Sequence, residues 1–125
     1  PKETKYLMLL GDVMMAQKKW QEAESLFGAL STAISGDSQR SALYKQGRCL
    51  IEQQRLRYAE PVLVRALGTE KRHVPSLNAL GQLYMTMRRW DEAKNMFKRS
   101  LEVEQYQQGA ADVRKALRDI ESMRR

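Results

Sequence analysis

The residue types that most often carry chemistry are sparse in this chain. His73 is the single histidine; no cysteine or carboxylate cluster at metal-ligand spacing accompanies it, so it reads as an ordinary surface histidine in a loop. Cys49 is the single cysteine. It follows Gly47 by two positions on a stretch of helical spacing, where a small buried hydrophobe is expected rather than a reactive thiol. One thiol also excludes an internal disulfide and fits a reducing compartment. Gly36 and Gly68 stand alone, without the glycine-rich run that cradles phosphate. An enzyme needs a constellation that this sequence does not offer, and no catalytic residue, metal ligand or cofactor site is assigned.

What the sequence does offer is an internal repeat, which takes precedence over any motif search. Gly81, Ala93 and Phe97 have counterparts 34 residues earlier at Gly47, Ala59 and Leu63, and 36 residues before those at Gly11, Ala23 and Phe27. Trp90 maps in the same way onto Leu56 and Trp20, and Leu77 onto Leu43 and Leu7. Five positions therefore keep their chemical character through three copies.

The period and pattern resemble the tetratricopeptide repeat, a helical hairpin of about 34 residues with a Leu-Gly, Tyr, Ala, Phe signature. The third copy matches best, through Leu80-Gly81, Tyr84, Trp90, Ala93, Phe97 and Leu101. The first offers Leu10-Gly11, Met14, Trp20, Ala23 and Phe27; the second is weaker, with Gln46, Leu50 and Leu63 where Leu, Tyr and Phe are usual. The resemblance implies an all-α fold, a right-handed superhelical stack of antiparallel helical hairpins with about seven helices. It implies one domain over residues 1–125, with repeats at about 4–39, 40–73 and 74–107 and a capping helix at about 109–124. It is specific for fold and far less so for function, because an architecture is not an activity.

Elementary patterning agrees. A chain of 125 residues with 42% hydrophobic and 30% charged residues suits a helical protein, and no apolar run approaches membrane-spanning length. A cytoplasmic location is expected. Apolar spacing places helices at about 4–18, 20–34, 39–53 and 56–67, with a fifth opening near Pro75 in its first turn and a sixth after Asp91-Glu92, whose charges favour a helix N-terminus. Ser35-Gly36-Asp37-Ser38 is the clearest break. Pro61 is awkward, because proline beyond the first turn removes a hydrogen bond; that helix must start late or bend. Glycine inside a helix costs about 1 kcal/mol relative to alanine. Gly11, Gly47 and Gly81 therefore need a reason, and close approach of the paired helix bearing Ala23, Ala59 or Ala93 supplies one. At the end of the chain Ala110, Val113, Ala116, Leu117, Ile120 and Met123 form one apolar stripe, as a capping helix requires.

Function must then lie on a surface. The resemblance implies that the first helix of each hairpin lines a concave groove that holds a peptide or helix of a partner protein. Counting along those helices gives Lys5, Met8, Asp12 and Met15; Tyr44, Arg48 and Ile51, with Ser41 beside them; then Asn78, Gln82 and Met85. Met15, Ile51 and Met85 serve equally well as packing between helices, whereas Tyr44, Arg48, Asn78 and Gln82 read as binding residues. A chaperone-cofactor subgroup grips a C-terminal carboxylate with Lys and Asn at positions occupied here by Met8, Asp12, Lys45, Pro75 and Ala79, so that clamp is expected to be absent.

A second surface is electrostatic. The turns within the hairpins carry Lys18-Lys19, Arg55 with Arg57, and Arg88-Arg89, in a chain of net charge +7. A stack would align them as a basic edge open to an acidic protein or a phosphate backbone. No aromatic alternates with that edge to stack bases, which disfavours nucleic acid. The leading reading is a non-enzymatic adaptor within a multiprotein assembly; a basic-edge binder and a self-associating module are the alternatives.

Overall fold

The computed structural model describes residues 2–123, and Pro1, Arg124 and Arg125, including the last residue of the expected capping helix, lie outside them. The described residues form α1 (Lys2–Ala16), α2 (Trp20–Ala33), α3 (Gly36–Glu52), α4 (Leu56–Leu67), α5 (Val74–Thr86), α6 (Trp90–Val103) and α7 (Ala110–Met123), with no strand among them. None is long and apolar enough to cross a membrane. The helices fall into two compact units, Pro1–Ala66 and Leu67–Arg125.

In the first unit α2 packs on both α1 and α3. Ala23, Phe27, Leu30, Ala42 and Cys49 make its buried centre, and Leu7, Met14, Trp20, Leu26 and Ile34 close around it. In the second, α6 packs on α5 and α7. Leu77, Leu80, Leu83, Phe97, Val113 and Ile120 are buried there. Each of these residues lies on the apolar stripe of its helix, the face that must leave water.

The glycines meet the paired helix bearing Ala23, Ala59 or Ala93, as expected, through the side chain one turn beyond that alanine. A Cβ at Gly81 would stand 2.6 Å from Phe97 Cζ, and one at Gly47 would stand 2.6 Å from Leu63 Cδ2. At Gly11 it would collide with the Phe27 ring. The close approach is thus made by the side chain four residues after Ala93, Ala59 or Ala23. Ala59, Ala23 and Ala93 are themselves fully buried.

Four expectations are corrected. α1 ends at Ala16 rather than Lys18, because Lys18 takes a left-handed backbone with φ of 61°. The break near residue 35 is short. Ser35 is extended, α3 begins at Gly36 with φ of +70°, and Asp37 lies in the first helical turn, 3.3 Å from Arg40. The late start offered as one resolution of Pro61 does not occur: α4 begins at Leu56 and Pro61 lies inside it, exposed, where it leaves the Arg57 carbonyl without its usual amide. On α7 the stripe holds for Ala110, Val113, Ala116 and Ile120, but Met123 is 67% exposed.

Gly81→Ala is expected to destabilise the protein by about 1–3 kcal/mol in urea unfolding, because overpacking against Phe97 outweighs the roughly 1 kcal/mol gain in helix propensity. A net gain in stability would show that the Phe97 ring yields freely.

Candidate functional site

The groove positions divide between the two units. In the first, Met8 and Met15 are half-buried against the core, and Ile51 is half-buried. Lys5 is exposed. Asp12 accepts a hydrogen bond from Lys45 Nζ at 2.7 Å, and the same ammonium lies 5.7 Å from the centre of the Phe27 ring. Arg48 is exposed and stacks 5.8 Å over Tyr44 while donating to its hydroxyl at 3.0 Å, so the pair presents one amphipathic plate.

In the second unit Asn78 is engaged at both ends of its amide. It donates to Gln107 Oε1 at 2.7 Å and accepts from the Ser100 hydroxyl at 2.5 Å. Gln107 donates in turn to Ser100 Oγ at 2.9 Å and to the Glu104 carbonyl at 2.9 Å. Ser100 is fully buried, so this network satisfies polar groups that would otherwise carry a desolvation penalty. Gln82 and Met85 have a different setting. Together with Thr86, Trp90, Asp119, Ser122 and Met123 they line an open cleft of about 360 Å³. A second hollow of about 350 Å³ carries them along α7 past Asp112, Lys115 and Ala116. Lys115 pairs with Asp119 at 2.8 Å, leaving one uncompensated carboxylate, Asp112, on that wall.

Sequence reasoning missed this wall, because it assigned α7 to capping alone. The available signal was the run of polar positions Asp112, Lys115, Asp119 and Ser122 at spacings of three and four, opposite the buried stripe.

The basic turns share one backbone. In each, two residues before the following helix, a non-glycine residue takes positive φ: Lys18 at 61°, Gln54 at 62° and Arg88 at 62°. Lys19 N–H reaches the Met14 carbonyl at 2.8 Å and Lys18 N–H the Met15 carbonyl at 2.9 Å. The same two bonds recur at Arg55 and Gln54, and at Arg89 and Arg88. This is the Schellman closure, in which a left-handed residue lets the last carbonyls of a helix find donors. Lys18, Lys19, Arg55, Arg57 and Arg88 are exposed. Arg55 reaches Glu24 at 3.5 Å and lies 5.0 Å over Tyr58. Arg89 lies 4.6 Å over Tyr84 and donates from Nε to Glu92 at 2.7 Å, which holds that carboxyl below its usual range.

His73 precedes α5, with Nδ1 2.6 Å from the hydroxyl of the buried Ser76. Cys49 is fully buried, and loss of water pushes its thiol from 9.0 up to about 11, with the Glu24 charge adding to the effect. Among the described residues no group of three or more His, Cys, Asp or Glu could hold a metal ion.

Paired helices with a glycine facing a buried Phe or Leu side chain, closed by turns of the same backbone, already narrow the architecture. Residues 76–103 match the tetratricopeptide-repeat family. The chain has the tetratricopeptide-repeat fold. It superposes on the first TPR of Spaghetti (RPAP3) bound to HSP90 peptide SRMEEVD with a TM-score of 0.87 at 17% identity, covering 98% of this chain and 95% of that one. PcrH from Pseudomonas aeruginosa gives 0.87 at 16% identity, covering 96% and 92%. The Sgt2 TPR domain from Aspergillus fumigatus gives 0.85 at 17%, covering 98% and 80%. No match was found among curated proteins.

Two outcomes test these local assignments. Because the folded thiol keeps its proton to about 11 while the unfolded one releases it near 9.0, stability is unaffected by Cys49 below that lower value and falls as pH rises through the window. The fall is expected to be shallower in Cys49→Ala, and equal pH slopes in urea melts would refute it. Arg88→Gly is expected to stabilise the protein by about 0.5–1 kcal/mol, since only glycine takes positive φ without a Cβ penalty; a melting temperature below that of the wild type counts against it.

Proposed function

We propose that the chain is a non-enzymatic protein-interaction module, an adaptor or scaffold in the cytoplasm that takes a peptide or short helix of a partner into its TPR groove. The observation that carries this reading is the cleft at Gln82 and Met85. Two residues counted as groove positions from the repeat alone line an open hollow whose floor includes Trp90 and whose far wall is α7. Thioether and indole supply adaptable apolar contact, and Gln82, Ser122 and Asp119 supply the few polar groups that fix orientation. A peptide bound to a TPR of the same fold supports the mode of binding. Here the grip on a terminal carboxylate is weakened at its start, since Lys45 is already paired with Asp12 at 2.7 Å. Recognition therefore runs through side chains of the partner.

The basic turns favour a second reading, an acidic protein or, less readily, nucleic acid held by Lys18, Lys19, Arg57 and Arg88, all of them exposed. Attraction of that kind fades with salt.

Capture from lysate on the immobilised domain separates the two. Gln82→Ala combined with Met85→Asp, and separately Tyr44→Asp, are expected to reduce retention of a partner by tenfold or more, on the order of 1.4 kcal/mol, without loss of helix content. Reversal of Lys18, Lys19, Arg88 and Arg89 to Glu is expected to leave retention unchanged. If only the charge reversal or nuclease treatment releases the partner, the groove reading is wrong and the turns are the binding surface.

A further inference from the structure

α4 presents an outer face unlike those of α2 and α6, which hold its place in the other two hairpins. With Ala59, Leu63 and Ala66 buried, its opposite side carries Arg57, Tyr58, Pro61, Val64 and Arg65, all exposed. Tyr58 and Val64 are 62% and 48% exposed. By the repeat, Tyr58, Pro61 and Val64 correspond to Glu22, Ser25 and Gly28 on α2 and to Glu92, Asn95 and Lys98 on α6. Apolar residues thus replace polar or small ones at three positions of one face. α2 and α6 also carry an acid in the first turn, and α4 carries none. Arg57 stands there instead, adding its charge to the positive end of the helix dipole, a repulsion that an external anion relieves.

The positive charge of this face survives a count of its surroundings in the same unit. The one acid of α4, Glu60, is half-buried on the flank rather than on the side of Arg57 and Arg65. Glu24 is engaged by Arg55 at 3.5 Å. Glu52 follows Arg48 by one turn and shares that side of α3. Exposed Glu22 on α2 is outweighed by Lys18 and Lys19 in the turn before it.

An anionic partner must also suit the apolar residues between the two arginines. Pro61 and Val64 offer a nucleic-acid backbone no hydrogen bond, and one side of the Tyr58 ring is already taken by the Arg55 guanidinium, 5.0 Å away. The outer side of a single helix is a ridge, whereas an acidic amphipathic helix seeks a groove for its own apolar stripe. A bilayer surface meets both needs. It supplies phosphate to Arg57 and Arg65, whose stems reach along apolar surface, and a headgroup boundary at which tyrosine settles. The Arg57 carbonyl, left without its amide by Pro61, needs water, so the contact is shallow and stays among the headgroups.

We infer that the outer face of α4 docks on an anionic phospholipid surface, with Tyr58, Pro61 and Val64 at the headgroup boundary and Arg57 and Arg65 on lipid phosphates. This contact does not depend on the peptide cleft at Gln82 and Met85.

Sedimentation with vesicles of phosphatidylcholine containing about 30% phosphatidylserine, at about 50 mM salt, is expected to bring the protein down; pure phosphatidylcholine, or about 500 mM salt, is expected to leave it in solution. Arg57→Glu with Arg65→Glu is expected to weaken binding by about tenfold or more. Lys98→Glu with Arg99→Glu makes the same change in net charge on α6 and is expected to weaken it by less than about threefold. A polarity-sensitive dye on Val64→Cys, the native Cys49 being buried and unlabelled, is expected to shift to the blue on the anionic vesicles. Absence of binding to those vesicles overturns the inference, and retention on polyglutamate in its place assigns the face to an acidic protein. Equal losses from the two charge reversals, or a dye that stays in water, overturn it as well.

Discussion

The contact on which each hairpin depends is a missing methyl group. A helix glycine gives up about 1 kcal/mol of propensity, and in exchange a Phe or Leu from the paired helix lies where a Cβ would be. Phe27, Leu63 and Phe97 are all essentially excluded from water. That single steric fact fixes the distance between the two helices of a hairpin and sets which residues face outward. Lys5, Arg48 and Gln82 are exposed on α1, α3 and α5 where Gly11, Gly47 and Gly81 are buried. Binding chemistry on such a scaffold is a by-product of how tightly two helices can close.

Much of this was legible without coordinates, for a physical reason. A repeat forces the same packing problem to be solved several times, so chance resemblance at one position is corrected by the others. Both ends of α4 and the start of α2 fall where the sequence spacing placed them, whereas α6 opens at Trp90 and takes Asp91 and Glu92 into its first turn. What was not legible depends on atoms distant in sequence. On the helix that bears Ala93 the group that meets Gly81 is the Phe97 ring, a detail that only side-chain direction settles. Asn78 is of a type that reads as a ligand contact, yet Ser100 and Gln107, 22 and 29 residues away, engage both ends of its amide. Spacing cannot reveal such a network, because its members share no helix.

The second unit shows how a helix packed on a hairpin acquires new chemistry. α7 buries Ala110, Val113, Ala116 and Ile120 where it packs on α6. Its remaining positions are freed from that duty, and Asp112, Asp119 and Ser122 turn one side of an ordinary hairpin into a walled cleft. The Gln107 side-chain amide donates to the Ser100 and Glu104 carbonyls and holds the connector that leads into α7, so the wall is positioned by that anchor together with the buried stripe of α7.

The three turns separate shape from surface character. Closure of each hairpin is performed by amide and carbonyl groups at Lys18-Lys19, Gln54-Arg55 and Arg88-Arg89, and the side chains there contribute little to it. A lysine, a glutamine and an arginine occupy the same left-handed position, so the slot accepts a cationic or a neutral side chain. The electrostatic character of this region can accordingly be tuned with the architecture held constant. Natural variation and protein engineering alike have there a coordinate along which recognition changes while the fold stays put.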